Sequence, residues 1–308
     1  MRVSAGLLGA GLLVVAAVGA DAAEKAAPRS CSKSARQAYQ ACRHEAQSDY
    51  LLQLAGCNDL ATRKERAACT RAARDQRREA LADCADQKEA RLDLCDSLGE
   101  AAYNPEIDPE NFVSEVTNPL FPLKPGTTFI YESTGDEPEH DEVQVTHDTK
   151  TILGVVCTVV RDTVSVDGEV TEDTLDWFAQ DKDGNVWYFG EHSEEFEDGV
   201  LVSLEGSWEA GVDGAKPGII MEANPKVGDV YRQEFSLGVA EDAAEVLATD
   251  AAASVPFGDF TGCLQTHEFT PLEPDALEHK FYAPGVGLVL ELHPETGERN
   301  ELVDVVHN

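Results

Sequence analysis

The first six cysteines constrain this 308-residue chain more than any other feature. They stand at positions 31, 42, 57, 69, 84 and 95, so the gaps between them run 11, 15, 12, 15 and 11, a palindrome. Residues facing each other across an antiparallel pair keep a constant index sum, and here the outer, middle and inner pairs all sum to 126. One hairpin folded about Arg63 therefore brings Cys31 to Cys95, Cys42 to Cys84 and Cys57 to Cys69. Both arms are helical by composition. Ser32 to Gly56 and Thr62 to Leu98 are rich in Ala, Arg, Gln, Glu and Leu, with no Gly or Pro inside the second arm. Gaps of 11 and 15 are close to three and four helical turns, which keeps each arm's cysteines on one stripe. Thr62 with Glu65 spells a capping box, and Gly99 is a stop signal. Two thin helices bury little, and three crosslinks worth roughly 3 kcal/mol each would compensate. Metal or haem binding by these cysteines is disfavoured, because the chain has neither CxxC nor CxxCH. The last two cysteines, Cys157 and Cys263, lie in strand-like runs and are expected to pair with each other.

Disulfides need an oxidising compartment, and the N-terminus agrees with that. Arg2, the apolar run Ala5 to Val18 and the small-residue site Ala20-Asp21-Ala22 read as a signal peptide over residues 1–22. The expected plan continues with the stapled hairpin at 23–100, a Pro-rich linker at 101–124 and an acidic β domain at 125–308. Charge marks the main boundary. Glu24 to Glu100 is nearly neutral, whereas Ala101 to Asn308 carries 44 Asp/Glu against 9 Lys/Arg. That excess repels phosphates and so excludes nucleic acid as a partner. Divalent cations or a basic partner are expected instead. No later run is long and apolar enough for a membrane span.

From Gly126 onward the signals are β. Thr127-Thr-Phe-Ile-Tyr, Val143-Gln-Val-Thr and Val156 to Val166 are rich in β-branched residues. Asp167-Gly168 and Asp183-Gly184 read as hairpin turns. About ten strands at spacings of roughly 8–12 residues point to an antiparallel sandwich, roll or open barrel. The fold class is thus α+β, with one short helix expected over Ala240 to Leu247.

Several blocks are recognisable together: Asn118-Pro-Leu-Phe-Pro-Leu-Lys-Pro-Gly-Thr-Thr-Phe, Asp176-Trp-Phe-Ala-Gln-Asp-Lys-Asp-Gly-Asn-Val-Trp-Tyr-Phe-Gly-Glu, Gly206-Ser-Trp-Glu-Ala-Gly-Val-Asp-Gly-Ala-Lys-Pro-Gly and Tyr282-Ala-Pro-Gly-Val-Gly-Leu-Val. With them the chain resembles a family of exported bacterial proteins of unassigned function, many of which carry the cysteine hairpin as well. The resemblance implies export and this domain plan, and it carries no catalytic residue.

Candidate chemistry is sparse. Asp181, Asp183 and Asn185 alternate like the first ligands of a calcium loop, but Val186 and His192 stand where an EF-hand needs Gly and Glu. A non-EF calcium site would draw on Glu172 and Asp176 as well. Asp173 and Asp176 must face opposite sides of a regular strand, so only one of them can join it. The glycine-rich stretch from Ser207 offers Trp208, Glu209, Asp213 and Lys216 as a ligand loop. His267, Glu278-His279-Lys280 and His192 supply imidazoles without an HxH or HExxH pattern. GxSxG is absent. The expectation is an exported, non-catalytic binding or structural protein that binds divalent cations, calcium foremost, with the hairpin as a stalk or self-association element. The alternatives are a carrier of an apolar small molecule in an open β barrel and a hydrolase of an extracellular polymer.

Overall fold

The computed structural model describes residues 29–135 and 138–307; the expected signal peptide lies outside them. Helix α1 (Ser30–Asn58) and helix α2 (Arg63–Leu98) form the antiparallel hairpin. Disulfides join Cys31–Cys95, Cys42–Cys84 and Cys57–Cys69, with Cα separations of 5.7, 5.8 and 5.6 Å. The capping box at Thr62 forms as expected, with Glu65 accepting from the Thr62 N–H at 2.9 Å. Gly99 ends α2 at φ 88°, a conformation that suits a residue without Cβ. Only Ser32, Ala35, Ala46 and Cys57 are buried on α1, so the crosslinks replace most of a core.

The β domain is one antiparallel sheet of fifteen strands. A first meander runs through β1 (Thr127–Ser133), β2 (Glu139–Ile152), β3 (Val155–Val166), β4 (Glu169–Gln180) and β5 (Val186–Glu197). Short β6 (Val200–Ser203) and β7 (Trp208–Glu209) fold back on β5, and β8 (Lys216–Met221) extends the sheet from it. Then come β9 (Val230–Arg232) and β10 (Glu234–Phe235), followed by a second meander of β11 (Ala243–Val255), β12 (Gly258–Thr270), β13 (Glu273–Ala283), β14 (Gly287–Leu292) and β15 (Arg299–His307). Pairing of β15 with β1 joins the two meanders.

The sheet's two ends meet on one stretch of chain. β9 pairs with β11 at one end, β10 pairs with β8 at the other, and only Gln233 separates them. The result is a closed barrel with no free edge at this seam. The backbones approach so closely here that a Cβ on Gly218 would fall 2.3 Å from the Gln233 carbonyl. The amides of Gln233 and Glu234 both donate to the Asp242 carbonyl, at 2.8 and 3.3 Å. Two residues thus oppose one, a β-bulge, and the bulge sends Gln233 and Glu234 to the same side.

Residues between the hairpin and β1 wrap the barrel as an ordered strap. Thr117 and Asn118 amides both donate to the Gln180 side chain at 2.7 Å. Phe112 packs edge-on against Phe189 at 5.6 Å, and Phe121 against Phe178 at 5.3 Å. The hairpin leans on the seam. Arg91 forks onto Glu241 with bonds of 2.7 to 3.1 Å, both side chains being buried, and Gln87 donates to the Leu272 carbonyl at 2.9 Å.

Two sequence expectations are corrected. Cys157 and Cys263 do not pair; both are buried free thiols. Cys157 lies on β3 and Cys263 on β12, and five strands separate these in the sheet order, β2, β1, β15, β14 and β13. Where a helix was expected over Ala240 to Leu247, Ala240 bridges to Ser236 and β11 begins at Ala243. Ala243 and Ala244 bond to β12 on one side and β9 on the other, and those ladders outweigh alanine's helical preference.

Replacing Glu241 with Ala would strand the Arg91 charge in the interior. Glu241→Ala is expected to cost about 3–5 kcal/mol in urea denaturation, whereas an unchanged midpoint would show that the contact does not hold the hairpin. Burial pushes the Cys157 thiol up to about 12. Alkylation followed by mass spectrometry is expected to modify neither thiol in the native protein and both after denaturation.

Candidate ligand-binding lumen

Alternation of side chains along each strand decides what faces the barrel interior. Phe129, Val143, Val160, Phe178 and Leu288 point inward, and Phe121 of the strap joins them. These make an apolar half. Further along the same strands the inward positions become acidic: Asp162 after Val160 on β3, and Asp176 before Phe178 on β4. Glu191, Glu234, Asp242 and Glu268 complete an acidic half. Between the halves lies a cavity of about 320 Å³. The seam's bulge supplies two of its groups, Gln233 and Glu234.

The acids are arranged in bonded sets. Burial and the neighbouring Asp162 charge push Asp141 up to about 10, and burial raises Asp162 as well. Glu234 and Asp242 form a second such pair, both raised by burial. Glu234 also accepts from the Trp208 indole at 2.8 Å. Tyr188 donates to Asp176 at 2.6 Å, and Tyr282 donates to Glu268 at 2.8 Å. Burial raises both phenols well above their usual range, so they stay donors. Burial also lifts Glu191 to about 7.

One cation stands against these acids. Lys280 contacts Glu268, Glu278 and Glu291 at 3.2, 3.4 and 3.4 Å. Burial opposes its charge, but the three carboxylates overcome that and hold it ionised. Desolvation works against the Glu291 charge too, yet Lys280 and His293 pull its carboxyl down to about 2. Glu278, Glu291 and His293 have donor atoms within 4.8 Å of one another, the only such metal-like group among the described residues, and Lys280 already sits beside it. Gln233 is buried and keeps an amide nitrogen without a partner.

The positions singled out in the sequence are scattered. Asp181 is buried and accepts from the Asn185 amide, the Asn185 side chain and the Trp187 indole at 2.8 to 2.9 Å, so it ties a turn together. Asp183 is exposed on that turn. Asp176 lies in the lumen, and Glu172 accepts from Thr174 at 2.7 Å. Four residues, Trp177 to Gln180, lie between Asp176 and Asp181, which puts them roughly 16 Å apart along the strand, so the expected set does not converge. Asp173 faces away from the lumen and pairs with Arg161, consistent with its odd spacing from Asp176. The expected loop also divides. Trp208 is buried against Glu234, Glu209 pairs with Lys150 at 2.7 Å, Asp213 is exposed, and Lys216 bonds to the Tyr103 carbonyl. His267 faces His279 across β12 and β13, but His192 is on β5 and pairs with Glu194. Asp141, Asp162, Glu191, Glu234 and Asp242 were not singled out, and Lys280 was named only beside His279. Asp162 stands between Val160 and Val164, and Asp242 between Ala240 and Ala244, which is a legible signal, whereas Glu234, with Arg232 and Ser236 two residues away, carries none.

No family model matches the chain, and no curated protein does. A solved structure described as a "putative lipoprotein" from Parabacteroides distasonis aligns over 61% of this chain and 98% of its own, with 12% identity and a TM-score of 0.29. The three disulfides fit an exported protein and not a cytoplasmic one. Among the described residues, no helix is long and apolar enough to cross a membrane.

The lumen acids make stability depend on pH. Glu191 holds its proton up to about 7 when folded, against a usual value of 4.5. Its contribution is therefore fully present below about pH 4.5 and is lost as pH rises through 7. Glu291, held near 2, is ionised in the folded state across that window. Glu191→Gln is expected to gain about 3 kcal/mol relative to the parent at about pH 8, and little at about pH 4.5. Urea denaturation at both pH values measures this.

Proposed function

We propose that this is an exported, non-catalytic binding protein whose barrel holds a small organic cation with an apolar body. The carrying observation is the division of the lumen into an aromatic and aliphatic half and an acidic half. A cavity of about 320 Å³ falls at the small end of ligand sites, which run from about 300 to 1,000 Å³. Lys280 is committed to Glu268, Glu278 and Glu291. Asp162, Asp176, Glu191 and the Glu234/Asp242 pair are left with raised affinity for protons, which a ligand cation would displace. Binding to these groups is linked to proton release, so it strengthens as pH rises through 7. The apolar half would take the body of the ligand, adding about 25 cal/mol for each Å² covered.

Calorimetric titration with a panel of alkyl and aromatic amines, each beside its matched alcohol, tests this reading. Amines are expected to bind and alcohols not, with affinity at least about tenfold higher at pH 8 than at pH 5.5, and Asp176→Asn is expected to weaken the amines alone. Equal binding of amines and alcohols would remove the cationic headgroup, and silence across the panel would remove the carrier reading.

A second reading, calcium binding by the acidic domain, rests on the convergence of Glu278, Glu291 and His293. Calcium would have to displace Lys280 from two of these groups, so Lys280→Met is expected to tighten it. A titration with neither heat nor a rise in Tm, in parent and variant alike, sinks that reading.

A further inference from the structure

The hairpin and the barrel seam enclose a second cavity, of about 220 Å³, outside the lumen. Its chemistry is opposite to that of the lumen. Arg91 comes from α2, Arg232 from β9 and Lys216 from β8, and the carboxylate facing them is Glu241. Two of these cations belong to the nine basic residues that follow Ala101, a stretch with 44 acidic ones. Their meeting here is a local reversal of the field of the whole domain.

The guanidinium groups are incompletely bonded. Arg91 is 5% exposed and Arg232 8%. Arg91 commits Nε and Nη2 to Glu241, while its Nη1 has no hydrogen-bond partner. Arg232 stacks over the Phe235 and Tyr103 rings at 4.8 and 5.7 Å, and its Nη1 is also without a partner. Buried polar nitrogens are rarely left so, and a buried cation short of counter-charge is costlier still. Burial and the neighbouring Arg91 both lower the Arg232 affinity for its proton, which only the Glu241 and Tyr103 side opposes. Of the two guanidiniums Glu241 bonds Arg91 alone, and Lys216 turns to a carbonyl, that of Tyr103.

We infer that this joint is an anion site, which takes a small oxyanion such as phosphate, sulfate or a ligand carboxylate between Arg91, Arg232 and Lys216. Such a group presents several acceptor oxygens to the planar donors of arginine and to the point charge of lysine. Occupied, the site would bridge the hairpin to the barrel seam, since Arg91 lies on one and Arg232 on the other. Anion binding would then raise the resistance of the joint to separation by mass action.

Calorimetric titration of the full chain with inorganic phosphate, against sodium chloride at matched ionic strength, tests the inference. Saturable binding of phosphate and none of chloride is expected. Arg232→Gln is expected to weaken it about tenfold, or 1.4 kcal/mol. Because Arg232 also packs at the seam, Lys216→Gln serves as the milder variant, expected to weaken phosphate several-fold with the circular dichroism of the parent. No saturable heat up to about 20 mM phosphate, an equal response to chloride, or unchanged affinity in Lys216→Gln would each overturn the site.

Discussion

Closure of the sheet on Val230–Phe235 is the constraint from which the rest of the molecule follows. A regular strand across this gap would put Arg232 and Glu234 on one face, because alternate residues share a side. The bulge opposite Asp242 breaks that alternation. Gln233 and Glu234 both line the lumen, while Arg232 and Phe235 face the hairpin. Two sites of opposite charge are thereby built back to back on six residues. Gly218 is the enabling residue on the partner strand, where any Cβ would collide with this backbone.

The acidic character of the domain has two distinct physical origins. Most of the carboxylates are on the outside, where water screens them and they confer little beyond charge. A minority sit on the inward face, and there desolvation decides their behaviour. Burial raises the neighbouring carboxyls Asp141 and Asp162, and likewise Glu234 and Asp242. Tyrosine hydroxyls bond to Asp176 and Glu268, and one lysine serves three glutamates. A barrel that needed only to be stable would fill these positions with Val, Leu and Phe, as its other half does. Buried acids in this number lower stability at neutral pH, so their placement points to a function that uses them.

Sequence made the hairpin legible and the lumen obscure, for one reason. Disulfide pairing in an antiparallel hairpin depends on index sums, which are local and exact in the chain, and Thr62 with Glu65 or Gly99 act within a single turn. Lumen membership depends on which face of a strand is inside. That face is usually read from apolar alternation, and here the inner face itself turns acidic partway along, at Asp162 and Asp176. The expected calcium set failed to gather for a related reason. Asp181 and Asn185 form a self-contained turn, whereas Asp176 belongs to the strand interior. Strand order also lies beyond local pattern. Cys157 and Cys263 each occupy a strand, as expected, yet the closing of the barrel puts five strands between them.

The hairpin's role follows from where it touches. Its crosslinks make a rigid rod from helices that bury almost nothing, and its tip carries exposed Leu51 and Leu52 away from the barrel contacts made near Gln87 and Arg91. The contact is concentrated on Glu241, whose carboxylate also accepts from the Gly238 amide at 2.8 Å and so fixes the turn between β10 and β11. Asp242, the next residue, receives both bulge amides and faces the lumen. The residue that the rod grips is thus one peptide bond from the residue that receives the bulge and faces the lumen.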